Sequence, residues 1–107
     1  MLSRLWEPAF KQLEKDLSLA GFNDGISAPP PAGFNQGAEF VSGVLKKLHQ
    51  NSSFNPDSFF YLVDLPPKLV SRLSALSGDA YYEWAGKAVF ARELQKVFFR
   101  LSFSGKD

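Results

Sequence analysis

The sequence predicts a mainly α-helical fold, a compact bundle of four to five helices that forms a single globular domain over residues 1–107. Three observations predict this class. Apolar residues recur at the 3.6-residue period of a helix in several segments. Proline and glycine stand at the ends of those segments, where they start and stop helices. With 107 residues, 45% of them hydrophobic, the chain can bury a core without the disulfides that its lack of cysteine excludes.

The first helix is predicted from about Glu7 to Ala20. Pro8 is tolerated best in a first turn, and Gly21 is a good C-terminal stop. The apolar residues of this segment fall on one helical stripe: Leu2, Leu5, Trp6, Ala9, Phe10, Leu13, Leu17 and Ala20.

A proline-rich crossover follows over residues 23–35. The run Pro29–Pro31 excludes both a helix and a central strand. Ile26 and Phe34 are the two residues that we expect to anchor this loop to the core. Without such anchors, a long irregular segment of this kind would be the least protected part of the chain.

Three further helices are predicted in the middle of the chain. Helical spacing of apolar residues returns over residues 36–51. Asn55 is a typical N-cap, and Pro56 takes the first position of a short helix that ends near Val63. Pro67 opens another short helix in the same way.

One of these helices has an alternative. The residues Phe59–Val63 are aromatic and β-branched, which also suits a buried strand. Residues 97–103 alternate between apolar and polar types as a strand does. If the two segments paired, the fold would be α+β with a small two-stranded element.

The last helix is predicted from about Ala80 to Leu101, with Asp79 as its cap. Its core-facing stripe is predicted to contain Ala80, Trp84, Ala91, Leu94, Phe98 and Leu101. Its polar side is predicted to contain Tyr82, Arg92, Glu93, Lys96 and Arg100. Trp84 is therefore expected to be buried, and its replacement by alanine to cost about 3–5 kcal/mol. No heptad register is evident along the chain.

Aromatic residues are in surplus, because 11 Phe, three Tyr and two Trp accompany one His and no Cys. One helix cannot bury all the aromatic residues around it, and exposed apolar patches usually mark interfaces. The candidate interface residues are Tyr81, Tyr82, Phe90, Phe99 and Phe103. Phe99→Asp is expected to weaken association while the monomer stays folded.

Residues that carry chemistry are few. His49 is the only imidazole, and its place at the end of a helix is typical of a solvated side chain or a partner of the helix dipole. Asp57 and Asp64 are explained by capping and by a turn, although together they would make an acid–base pair. A single His without Cys falls short of a zinc site. We expect no catalytic residue, metal or cofactor.

The charge balance of 12 basic and 11 acidic residues gives no long-range attraction for nucleic acid or an anionic membrane. A helix-turn-helix over residues 67–90 is disfavoured, because it would place the acidic residues Asp79 and Glu83 against the DNA phosphates, which would repel them. No stretch approaches the roughly 20 apolar residues of a membrane span. Because no signal peptide is evident, we expect an intact cytoplasmic protein. If the protein did bind nucleic acid, five basic residues on two helices could form the contacting strip: Lys68, Arg72, Arg92, Lys96 and Arg100.

These observations predict a small non-catalytic interaction module or accessory subunit rather than an enzyme. It would form a homo-oligomer, or bind another protein, through the aromatic-rich C-terminal helix. The second hypothesis is a small-molecule-binding protein or an enzyme with an aromatic-lined pocket. Its candidate pocket residues are Tyr61, Asp64 and Trp84.

Overall fold

The computed structural model describes residues 2–51 and 54–104, with side chains described for residues 4–51 and 54–101. These residues form five helices and no strand, which confirms the mainly α prediction. The segments 59–63 and 97–103, which the alternative would pair as strands, are both helical. The helices are α1 (Leu2–Leu19), α2 (Phe34–Leu48), α3 (Pro56–Val63), α4 (Pro67–Ser74) and α5 (Gly78–Ser104).

Helix α1 begins five residues earlier than predicted, so that Pro8 lies inside it. Proline removes one backbone hydrogen bond from a helix interior. The burial of Trp6, whose side chain is 2% exposed, and the half-burial of Leu5 keep this first part helical nevertheless. The apolar stripe therefore outweighs the proline in placing the start of the helix.

The end of α1 is a Schellman motif, as Gly21 predicts. Gly21 adopts a φ of 109°, which favours glycine. Its N–H donates to the Ser18 carbonyl (3.1 Å), and the Phe22 N–H donates to the Leu17 carbonyl (2.8 Å). The ring of Phe22 then packs against the core.

Both predicted anchors of the crossover between α1 and α2, Ile26 and Phe34, pack against the core. Two hydrogen bonds also attach the crossover to α1. The Trp6 indole Nε1–H donates to the Pro29 carbonyl at 2.8 Å, and the Ile26 N–H donates to Glu14 Oε2 at 3.1 Å. The proline-rich segment is thus tied to α1 along its length.

Helix α3 is capped as its sequence predicts. Asn55 Oδ1 accepts a hydrogen bond from the Ser58 N–H at 3.2 Å, with Pro56 at the first helical position. At the other end, Asp64 takes the left-handed conformation with φ 70°. The Leu65 N–H then closes the helix on the Phe60 carbonyl.

Helix α2 packs closely against α5, and this contact rests on two glycines. A β-carbon at Gly37 would overlap the Phe90 ring. A β-carbon at Gly86 would overlap Ser42 Oγ and lie 2.5 Å from the Ala38 carbonyl oxygen. Ser42 Oγ also donates to the Tyr82 carbonyl at 2.6 Å. These contacts fix the rotation of α5 about its own axis.

That rotation differs from the predicted one. The side chains of Trp84, Phe98 and Leu101 are 53%, 44% and 46% exposed, so the stripe expected in the core faces outward, and the prediction of a buried Trp84 is wrong. The physical reason is that Gly86, which has no side chain, lets this side of α5 approach the backbone of α2 closely. The residues of α5 that are buried are Ala85, Gly86, Val89, Phe90, Glu93 and Val97.

An aromatic cluster between α1, α2 and α5 explains part of the aromatic surplus. The Phe90 ring, 1% exposed, lies 5.3 Å from Phe10, 5.5 Å from Trp6 and 5.4 Å from Phe34, centroid to centroid. Phe40 packs edge-on against Phe10 at 5.3 Å. Aromatic pairs at these separations add to the stability from burial alone.

Gly86→Ala is expected to lower the free energy of unfolding by about 1–3 kcal/mol, because the new methyl meets the backbone of α2. Gly43→Ala is the matched control, since no atom lies within 4 Å of its β-carbon position. That change is expected to stabilise the protein by about 0.5–1 kcal/mol. Urea unfolding measures both, and a stabilised Gly86→Ala would contradict the packing.

Phe90→Ala is expected to cost about 3–5 kcal/mol, and Trp84→Ala under about 1 kcal/mol, because only the first residue is buried in the core. Thermal unfolding of the two variants tests this order. A Trp84→Ala variant that melts lower than Phe90→Ala would restore the rotation that the sequence predicts.

Candidate functional site

The outward side of α5 is the most unusual surface of the described chain. Its residues are alternately three and four positions apart, the spacing of the a and d positions of a coiled coil. Trp84, Phe98 and Leu101 are its exposed large side chains, and Leu94 is half-buried. We call this the outer face of α5 and define it as Ala80, Trp84, Lys87, Ala91, Leu94, Phe98 and Leu101.

Lys87 is the polar residue within the outer face, and local contacts hold it there. Its ammonium lies 4.7 Å from the centroid of the Trp84 ring, within the range of a cation–π interaction. It also pairs with Glu83 Oε2 at 3.6 Å, as the i,i+4 spacing predicts. The lysine stem therefore lies along the apolar face rather than away from it.

The predicted interface residues fall in different environments. Phe90 is buried, so its prediction as an interface residue is wrong: the contact with α2 turns it into the aromatic cluster. Tyr81 and Tyr82 are half-buried against the His49 ring, at 5.6 and 5.3 Å. Phe99 is 51% exposed and packs edge-on against Phe98 at 5.8 Å. The side chain of Phe103 lies outside the described residues.

The predicted pocket residues do not converge. Tyr61 is 83% exposed on α3, and Trp84 belongs to the outer face of α5. Asp64 is held in an ion pair, with its Oδ2 2.6 Å from Arg92 Nη2, and its carbonyl accepts from Arg92 Nε at 3.1 Å. Four grooves lined by described residues include none of the three.

The largest of these four grooves, about 640 Å³, lies between the start of the crossover and α2. Its apolar part is formed by Phe22, Ile26, Phe40 and Val44. It is an open surface groove with no buried polar side chain in its lining. A specific ligand site typically encloses its polar groups, whereas the polar residues that line this groove are all exposed: Asp24, Ser27, Glu39, Lys47 and Asn51.

The remaining residues that the sequence singled out lie at helix ends or on the surface. His49 is the C-cap of α2, and burial lowers the pKa of its imidazole. Asp57 is exposed in the first turn of α3. In the hypothetical basic strip, Arg92 pairs with Asp64 and Arg100 Nη1 donates to Gln12 Oε1 at 2.9 Å.

A buried carboxylate pair is the feature that sequence reasoning missed. Glu93 on α5 is fully buried and Asp16 on α1 is 3% exposed. Lys96 Nζ lies 2.8 Å from Asp16 Oδ2 and 3.4 Å from Glu93 Oε1, and it also donates to the Leu62 carbonyl at 3.2 Å. Gln12 Nε2 donates to Asp16 Oδ1 at 3.1 Å. One feature of the sequence could have predicted this burial. Glu93 is four residues from both Val89 and Val97 and therefore lies on the same face of the helix as these two apolar residues.

The pair is stable when Glu93 carries a proton. As a carboxylate, Glu93 has no hydrogen-bond donor for either oxygen. Burial raises the pKa of Glu93 to about 9, with the neighbouring Asp16 acting in the same direction and Lys96 opposing it. At neutral pH a protonated Glu93 donates to the Asp16 carboxylate, which accepts from Lys96 and Gln12 as well. None of these residues lines the four grooves described above.

Two absences hold for the part of the chain that the structure describes. No group of three or more acidic or histidine side chains is placed to hold a metal ion. None of the helices in that part combines the length and apolar character that crossing a membrane requires.

Comparison with known proteins adds no relative: no family model, curated protein or solved structure matches the chain significantly. The geometry of the outer face and of the buried pair is therefore the whole basis for a functional argument.

The buried pair predicts how stability depends on pH. The folded-state pKa of Glu93, about 9, lies above its ordinary value of 4.5. Unfolding therefore releases a proton between these values, and the free energy of unfolding falls as pH rises, by up to about 1.4 kcal/mol per pH unit. Glu93→Gln is expected to remove this slope and to raise the melting temperature at pH 8, because the amide donates to Asp16 without ionising.

The control is Glu39→Gln on the exposed side of α2, which is expected to keep the slope of the wild type. Thermal unfolding from pH 5 to 9 measures all three proteins. A Glu93→Gln variant that melts lower than the wild type at pH 8 would show that the ionised carboxylate, paired with Lys96, is the stabilising form.

Proposed function

We propose that this protein is a small, non-catalytic interaction module that self-associates through the outer face of α5. The observation that carries the proposal is the exposure of Trp84, Phe98 and Leu101, 44–53% of each side chain, along about 25 Å of one helix. Contiguous apolar surface of this kind typically marks an interface, and tryptophan and phenylalanine are enriched in interface centres.

Helix α1, the other long helix at the surface, shows by comparison how unusual the outer face of α5 is. On α1 most exposed positions hold polar or charged residues such as Lys11 and Lys15, while Leu13 and Leu17 are buried. The exposed large apolar side chain on α1 among the described residues is Leu19, at the C-terminal end of the helix. Helix α1 therefore separates polar and apolar sides in the usual way. Helix α5 instead has an apolar outer face opposite its buried side, which is typical of a helix that has neighbours on both sides.

The charge and composition fit such a module. A net charge of +1 gives little electrostatic repulsion between copies of the chain. The absence of cysteine fits a reducing compartment such as the cytoplasm. The buried carboxylates line none of the four described grooves, and in this proposal they act only in the packing of α1 against α5.

We expect the wild type to be at least dimeric at micromolar concentration, and Phe98→Asp to be monomeric. The aspartate places a charge in the centre of the proposed contact. Tyr61→Asp is the matched control, because Tyr61 is also an exposed aromatic residue but lies on α3, and this variant is expected to remain dimeric. Phe99 lies about 100° around α5 from Phe98, so Phe99→Asp is expected to weaken association less.

Light scattering measures the mass of each variant, and circular dichroism shows that each is folded. A wild type that stays monomeric at high concentration would overturn the proposal. A dimer that Tyr61→Asp disrupts and Phe98→Asp does not would place the interface elsewhere.

A further inference from the structure

The outer face of α5 has the pattern of one half of a two-helix coiled coil. Trp84, Ala91 and Phe98 stand at one set of equivalent positions, seven residues apart. Lys87, Leu94 and Leu101 stand at the other set. Trp84, Phe98 and Leu101 are the exposed members of the six. Leu94 is half-buried and packs partly against the core, and Lys87 also borders a groove beside α2. Two such helices pack by inserting each side chain between those of the partner.

We infer that the occupant of this face is a second copy of the chain, with the two α5 helices antiparallel about a two-fold axis between Ala91 and Leu94. This inference rests on the proposed function and specifies its partner and geometry. A two-fold axis uses the same surface on both copies, so the face must be complementary to itself.

Side-chain volume favours the antiparallel arrangement. It places Ala91 of each copy opposite Leu94 of the other, and Trp84 opposite Leu101. Each layer then combines a large residue with a smaller one, which fills the space between helices evenly. A parallel pair would instead set Trp84 against Trp84 in one layer and Ala91 against Ala91 two layers on, with crowding at the first and a gap at the second.

Charge favours the same arrangement. In a parallel pair, the Lys87 ammonium groups of the two copies would face each other in one layer, where like charges repel. An antiparallel pair places Lys87 against Phe98 of the second copy, where an ammonium over an aromatic ring is stabilising. Lys87 already takes this geometry towards Trp84 within its own chain.

The absence of cysteine makes a cross-linking test direct, because each single-cysteine variant can form only one disulfide. Ala91→Cys places the thiol beside the proposed axis, where the two copies approach each other. Ala80→Cys places it on the same face but about 16 Å further along α5. In an antiparallel pair the two thiols of the Ala80→Cys variant lie at opposite ends, far beyond the roughly 7 Å that a disulfide tolerates between α-carbons.

After mild oxidation of the full chain at a concentration where the wild type is dimeric, we expect about tenfold more covalent dimer from Ala91→Cys than from Ala80→Cys. Equal cross-linking of both variants would overturn the antiparallel arrangement in favour of the parallel one. A wild type dimeric by light scattering, with neither variant cross-linked, would exclude this face as the contact. A monomeric wild type would instead overturn the proposed function itself.

Discussion

The close packing of α2 on α5 is the constraint on which the rest of the structure depends. Gly37 and Gly86 let the two helices approach until side chain meets backbone, and a β-carbon at either position would overlap the other helix. Phe90 then enters the aromatic cluster of α1 and α2. Once this contact is made, α5 has no rotational freedom, and the position of every other residue on the helix follows from the helical repeat.

Two unusual features have this rotation as their common cause. It turns Glu93 into the core, where a carboxylate would be costly, and the neighbouring Asp16 and the burial itself keep Glu93 protonated. It also turns Trp84 and Phe98 to the outside, where they form an apolar face without a partner in the same chain. A rotation of α5 that maximised the burial of apolar surface would instead have exposed Glu93 and buried Trp84 and Phe98.

Local signals in the sequence were sufficient for the number of helices and for several of their ends, because caps and stops act within a few residues. The start of α1 was not among those ends, since burial of Trp6 extends this helix ahead of Pro8. Asn55 and Gly21 specify their helix ends as predicted. The rotation of α5 was beyond such signals, because apolar residues surround this helix and the strongest apolar stripe, which contains Trp84, is the exposed one. Close approach at Gly86 depends on a residue of another helix, which periodicity does not reveal. Lys87 also obscured the heptad spacing of the outer face.

The most direct test of this rotation is fluorine NMR of the protein labelled with fluorotryptophan, followed through a dilution series. The two tryptophans report opposite faces, because Trp6 is buried in the aromatic cluster and Trp84 lies on the outer face. The structure predicts a solvent-shielded Trp6 resonance at all concentrations and an exposed Trp84 resonance in the dilute protein. The proposed self-association predicts in addition that the Trp84 resonance becomes shielded as the concentration rises. A Trp84 resonance that is shielded even at the lowest concentration, where the protein is monomeric, would contradict the outward rotation of α5.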